Sequence, residues 1–227
     1  MSKRFRWFIR VTMLAGGLGA ALAQSTSDRA VQGTPAAGNQ NDSLVVKALH
    51  VLEPPPPTPL TAKEAFDQYL LNSIGPFPDL GEAASAGISQ LVNSPEEWGQ
   101  GARGYFKRFG NNVAYNVVRN TLTYGVSIPT HEDTRYFASG KSNAGGRVVH
   151  ALLSPVTARR QDGRDTFSYS NTAGIVGANV VALAWAPPSW RTPGSFATGV
   201  VWSYAGTAAL NLVREYVPDM IRHFRRR

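Results

Sequence analysis

The sequence predicts a mainly α-helical protein, a compact bundle of about five to six helices with Gly/Ala-rich, closely packed helices near its C-terminus. Three observations carry that expectation. Apolar residues recur at helical spacing in several segments, helix-start signals precede them, and charge-free stretches rich in small residues fill the last third. Cysteine is absent, so burial rather than disulfides must hold the fold together.

Residues 1–23 read as a cleavable secretory signal peptide. Lys3, Arg4, Arg6 and Arg10 come first with no acid among them, then an apolar run from Val11 to Leu22, then the small-residue exit Ala21-Leu22-Ala23. Export and cleavage machinery reads this order of features. The apolar run is short of the ~20 residues that span a bilayer. The mature chain is expected to begin at Gln24 and to reside in the periplasm or outer envelope, and with no cysteine it has no lipid-accepting thiol. Residues 24–60 read as a disordered linker ending in Pro54-Pro55-Pro56-Pro57-Thr58-Pro59, a run that favours an extended spacer.

The helical domain is expected over residues 61–227. Thr61-Ala62-Lys63-Glu64 fits a capping box, and Phe66, Tyr69, Leu70 and Ile74 follow at helical spacing before Gly75-Pro76. A second helix is expected over about 80–92. Ser94-Pro95-Glu96-Glu97 reads as the start of a third, with Ser as cap, Pro in the first turn and two acids at the positive helix end, running to about 127 before Pro129. Residues 129–146 read as a loop and 148–158 as a short helix or bent segment around Pro155, followed by a polar turn over 159–165. Two last helices, about 170–186 and 195–217, flank Pro187–Pro193. Gly174, Ala178 and Ala182, then Gly199, Ser203 and Thr207, give these two helices faces of small residues that permit close backbone approach. Three arrangements fit this last third: a packed helical core with peripheral membrane contact or none, a membrane-inserted helical hairpin, or a small barrel, for which Thr166–Ser170 alternates.

The formal charge of +8 is concentrated at the ends. Four charges lie in the signal and four in Arg222, Arg225, Arg226 and Arg227, so residues 24–221 are near neutral. A nucleic-acid binder spreads cations over a folded face, so no nucleic-acid partner is expected. Motif searching is negative as well. Gly140-Lys141-Ser142 resembles the end of a P-loop, but Arg135 stands where the first glycine is required. There is no G-x-S-x-G, S-x-x-K or H-E-x-x-H, and no thiol chemistry is available. No cofactor and no metal site are expected.

The remaining catalytic candidates are His131, Asp133 and His150, which a periplasmic hydrolase-type enzyme would have to gather in one pocket. The plainer account is that Glu132 and Asp133 cap a turn and pair with Arg135. Asn112, Asn116 and Asn120 share one helix face, and with Asn179 and Asn211 they are candidates for a structural polar network. The strings Asn116-Val117-Val118-Arg119 and Asn211-Leu212-Val213-Arg214 echo each other. Trp190, Trp202, Arg222, Phe224, Arg225, Arg226 and Arg227 are candidates for lipid contact, because aromatic rings favour the membrane boundary and arginines suit anionic headgroups.

Pro95-Glu96-Glu97-Trp98-Gly99-Gln100-Gly101, His131-Glu132-Asp133-Thr134-Arg135-Tyr136-Phe137 and Gly163-Arg164-Asp165-Thr166-Phe167 together resemble a group of uncharacterised exported bacterial envelope proteins, over about residues 61–221. The resemblance implies an envelope location and brings no established activity or catalytic residue. The expected role is structural or binding, at a membrane surface or on another envelope component, rather than catalytic.

Overall fold

A computed structural model describes residues 52–55, 58–160 and 163–225. The signal segment, most of the linker, Arg226 and Arg227 lie outside the described residues. Six helices of ten residues or more account for most of the rest: α1 Ala62–Ile74, α2 Pro76–Leu91, α3 Gly101–Thr130, α4 Ala144–Leu153, α5 Tyr169–Ala182 and α6 Pro193–Arg225. The architecture is mainly α, as the sequence predicts. Short strands β1 Glu132–Asp133, β2 Thr157–Arg160 and β3 Asp165–Phe167 form one antiparallel sheet in the order β1-β2-β3. Three open strands of this length cannot close, so the barrel alternative fails. No helix among the described residues is long and apolar enough to cross a membrane.

The first helix starts as its sequence dictates. The Glu64 amide donates to Thr61 Oγ1 at 3.3 Å and the Thr61 amide donates back to Glu64 Oε2 at 2.8 Å, closing the capping box. The third helix does not start where expected. Glu96–Trp98 forms only a 3₁₀ turn, because Gly99 and Gly101 take positive φ values of 70° and 79° and reset the chain direction before α3 begins. Arg108 holds this turn from below. It is 1 % exposed, and its guanidinium donates to the carbonyls of Ser94, Gly99 and Pro95 and to Gln90 Oε1, at 2.6–2.8 Å. Gly104 permits the approach: a Cβ there would lie 2.2 Å from the Gly99 carbonyl oxygen.

Helix α3 is the axis of the molecule, contacting α1, α2 and most extensively α5, while α6 packs on α4 and α5. The small face of α5 therefore serves α3 more than α6. A Cβ on Gly174 would fall 1.9 Å from Thr123 Oγ1, and one on Gly177 would fall 2.5 Å from Leu122 Cδ1. Helix α6 continues through Pro218, beyond the end expected at residue 217. A proline costs the helix one amide donor, and packing of Val217 and Ile221 outweighs it here.

The interior is unusual in composition. Its buried apolar residues are mostly alanines, whereas Arg108, Arg119, Glu82, Glu215 and Asn116 are among the bulkiest fully buried side chains. Large apolar side chains face outward instead: Phe66, Leu70 and Ile74 along α1, Leu80, Ile88 and Leu91 on α2, Leu152 and Leu153 on α4, and Val213, Met220 and Phe224 on α6.

Candidate functional site

The C-terminus of α3, the small sheet and α6 enclose the largest concave region near the predicted catalytic cluster. His131 ends α3 in the left-handed conformation at φ 54°. Glu132 and Asp133 then pair with Arg160 and Arg159 across β1 and β2, and Arg159 pairs onward with Asp165 on β3. Both acids of β1 are already engaged. Glu132 is buried and accepts from the Tyr169 and Ser170 amides at the start of α5, at 3.1 and 2.9 Å, and from the Ser170 hydroxyl. An acid at a helix N-terminus compensates the positive end of the macrodipole. Asp133 accepts from Arg135 Nε and Nη2, at 2.9 and 2.6 Å.

A cavity of about 360 Å³ opens between this segment and α1, and a smaller one of about 70 Å³ adjoins it toward α4 and α5. Thr123, Asp133, Phe137, Arg159 and Arg214 line both. Tyr69 and Tyr124 form one wall of the larger cavity, stacked with ring centroids 4.9 Å apart, and Phe66 lies 6.0 Å from Tyr124. Arg135 and Arg159 each stand 5.1 Å from the Phe137 ring centroid. Arg119 is fully buried behind the smaller cavity. Its Nη2 donates to Thr207 Oγ1 at 3.1 Å and reaches Asn171 Oδ1 at 3.4 Å, and both of those residues line it. Burial pulls the Arg119 guanidinium below its ordinary pKa.

The three catalytic candidates are not assembled into an acid–base device. His131 is exposed and lines only the larger cavity, while His150 lines only the smaller and uses Nε2 on the Phe137 carbonyl at 3.0 Å. Asp133 lines both but spends its carboxylate on Arg135. No hydrogen bond joins any two of the three among the described residues. Nor does any group of three or more His, Asp or Glu side chains there have the arrangement to hold a metal ion.

The asparagines face inward and form four separate linkages rather than one network. Asn116 and Asn120 both donate to the Asn72 carbonyl at 2.8 Å, and Asn120 also donates to Asn116 Oδ1, tying α3 to α1. Asn112 donates to the Glu82 carbonyl of α2. Asn179 donates to the Tyr115 hydroxyl, which meets Ser203 of α6, and Asn211 donates to Ser154 Oγ. Of the lipid-contact candidates, Trp190 packs against Trp98 at 5.5 Å and Trp202 is half-buried, whereas Arg222, Phe224 and Arg225 are exposed on the last turns of α6.

Sequence reasoning did not single out Glu82, Arg108 and Glu215, the tyrosine wall, or Arg159. For Arg119 and Arg214 a signal existed: both close the N-x-x-R echo, and both are buried, each next to a buried asparagine three residues earlier. Comparison of the chain with protein-family models, with curated proteins and with solved structures finds no match.

Proposed function

We propose that this is a non-catalytic envelope protein that binds at a membrane surface. The observation that carries the reading is the inverted distribution of side chains: arginine, glutamate and asparagine inside, rows of leucine, isoleucine, valine and phenylalanine outside. Scattered exposed apolar residues are ordinary, but rows on several helices around a polar interior call for an apolar neighbour. Leu91 is 86 % exposed and Leu80 67 %, so neither is buried among the described residues. The end of α6 adds charge of the matching sign, with Met220 and Phe224 exposed beside Arg222 and Arg225. An apolar face flanked by cations suits an interfacial position on anionic lipid.

The test is flotation of the full chain with vesicles of phosphatidylglycerol and phosphatidylethanolamine. Binding is expected, partly reversed by salt. Replacing Met220 and Phe224 together by serine is expected to weaken it about tenfold, because two side chains only 39 % and 41 % exposed together withdraw about as much apolar surface from lipid as one large side chain. Wild-type protein that stays with the soluble fraction at low salt would overturn the reading.

A further inference from the structure

We infer that a third cavity, enclosed by α2, α3, α5 and the start of α6, is a binding site for a small organic ammonium ion, its charged head at Glu82 and its carbon chain against Trp98 and Trp190. This inference does not rest on membrane binding.

The first support is space beside an aromatic wall. The cavity measures about 120 Å³. One water needs about 10–15 Å³ of such space, so a ligand of several heavy atoms fits. Ala182 and Ala186 of α5 and Gly199 of α6 line it and keep it open. Trp98 and Trp190, from the two 3₁₀ turns Glu96–Trp98 and Pro188–Trp190, also line it, with ring centroids 5.5 Å apart. Both are half-buried, so the wall they form reaches the surface. Indole faces accept carbon chains and cations alike.

The second support is an unspent acid. Glu82 lines the cavity from α2 and is 2 % exposed. Its backbone carbonyl accepts from Asn112, but nothing among the described residues donates to its carboxylate. Oε1 is sealed without a partner, which leaves Oε2 as the oxygen turned to the cavity. The charged and titratable groups around it are Asp79 on its own helix and Arg108, Tyr115 and Arg119 on α3. Arg119 acts on Glu82 through space and forms no ion pair with it among the described residues, and Asp79 opposes with like charge. The cavity residues from α5 and α6 carry no charge. A buried carboxylate without a partner is costly, and an ammonium supplies both the opposite charge and three donors.

The third support is that the one cation lining the cavity is spent. All five N–H groups of Arg108 have acceptors: Nε has the Ser94 carbonyl, Nη1 has Gln90 Oε1 and the Gly99 carbonyl, and Nη2 has the Pro95 carbonyl and, at 3.5 Å, Asn93 Oδ1. An entering anion finds no donor there, so the charge this cavity can recognise is positive. Asn179 and Tyr115 are committed too, Asn179 donating to the Tyr115 hydroxyl, which meets Ser203. A metal ion would need several acidic or imidazole ligands, and Glu82 is the single acid lining the cavity. An ammonium needs one carboxylate, and its carbon chain uses the apolar wall.

The experiment is calorimetric titration of the full chain at pH 8 with n-butylammonium, and with butanol and butyrate as its neutral and anionic counterparts. Alkylammonium groups stay charged to about pH 10. Butylammonium is expected to bind about tenfold more tightly than either counterpart, the worth of one charge-assisted hydrogen bond. Glu82→Gln keeps the volume and removes the charge, and should bring butylammonium down to the affinity of butanol. Ala182→Leu, filling the cavity, should abolish binding of both, and it decides the matter should Glu82→Gln fail to fold. Burial pushes the Glu82 carboxyl up to about 8, so the ammonium must displace a proton below that pH. Wild-type affinity should therefore rise about tenfold per pH unit from 6 towards 8, and Glu82→Gln should show no such trend. No heat with butylammonium at millimolar concentration, equal binding of butanol, binding unchanged in Glu82→Gln or in Ala182→Leu, or a flat pH profile overturns the inference.

Discussion

Glu215 and Glu82 are both almost fully buried, at 1 % and 2 % exposure, yet their surroundings are opposite. Glu215, on α6, accepts from the Tyr136 hydroxyl, from the Ser139 amide and hydroxyl, and from Arg147 Nε. Burial pushes its pKa upward, but these bonds outweigh burial and hold the carboxyl below its ordinary range. Glu82, on α2, has no hydrogen bond to its carboxylate among the described residues, and its Oε1 is sealed from solvent. Burial pushes its pKa up to about 8, with only the more distant charge of Arg119 opposing. The arginines divide the same way: Arg108 is saturated by carbonyls and Gln90, whereas Arg119 keeps two nitrogens unmet. Saturated buried charge staples chain segments together. Unsaturated buried charge weakens the fold and persists where something other than folding favours it.

The largest expected effect comes from breaking the saturated side. Glu215→Ala strands the Tyr136 hydroxyl, the Ser139 donors and Arg147, which also stacks on Tyr216 at 4.2 Å and pairs with Asp219 at 2.6 Å. Removing one partner of a buried charge cluster costs about 3–5 kcal/mol. Urea denaturation should show the loss as a lower midpoint with an unchanged slope. A midpoint that does not move would place Glu215 among the dispensable charges and erase the distinction.

The unsaturated side should show itself in pH dependence. The Glu82 carboxyl holds its proton in the folded chain up to about pH 8, while the unfolded chain releases it near 4.5. Its contribution to stability is therefore greatest below about pH 4.5, falls as pH rises to about 8, and is level above that. Glu215, with its pKa lowered, behaves oppositely: its contribution is present above the unfolded value and is lost as pH falls. Stability measured between pH 5 and 8 should decline by on the order of 3–4 kcal/mol in the wild type. Glu82→Gln should flatten that decline and leave the acid limb intact. A decline that persists in Glu82→Gln would assign it to another group.

Helical class was legible because it rests on local rules. Thr61 and Glu64 sit where a capping box needs them, and the spacing of Phe66, Leu70 and Ile74 marks one face of a helix. That same spacing carries no sign of which face is buried, and here the apolar side of α1 points out. Ser94–Glu97 misled because the decision belonged to Gly99 and Gly101, two glycines whose positive φ values end the turn. The sheet escaped notice because two to four residues are too few for an alternating pattern to stand out. The cavity was out of reach for a different reason. Its lining runs from Pro59 to Arg214, and only the tertiary path brings Tyr69, Thr123 and Arg159 together. Burial of Arg119 and Glu82 contradicts the ordinary expectation that such residues stay in water, and the N-x-x-R echo was its single trace in the sequence.

The smallest expected effect is the most discriminating. Thr123→Val removes a hydroxyl that bonds to nothing among the described residues and keeps the volume that α3 presents to Gly174. If the hydroxyl were a structural group, its loss would cost what a buried hydrogen bond contributes, about 1 kcal/mol. As an unmet donor its removal relieves a desolvation penalty, so stability should hold within about 0.5 kcal/mol or rise. The paired measurement is the urea midpoint of Thr123→Val beside that of Thr121→Val, whose hydroxyl donates to the Val117 carbonyl at 2.8 Å in the same helix and also meets Tyr69. Thr121→Val should be the less stable of the two. Equal losses would mean that Thr123 finds a partner within the fold, and its place on the unsaturated side of the comparison would fail with it.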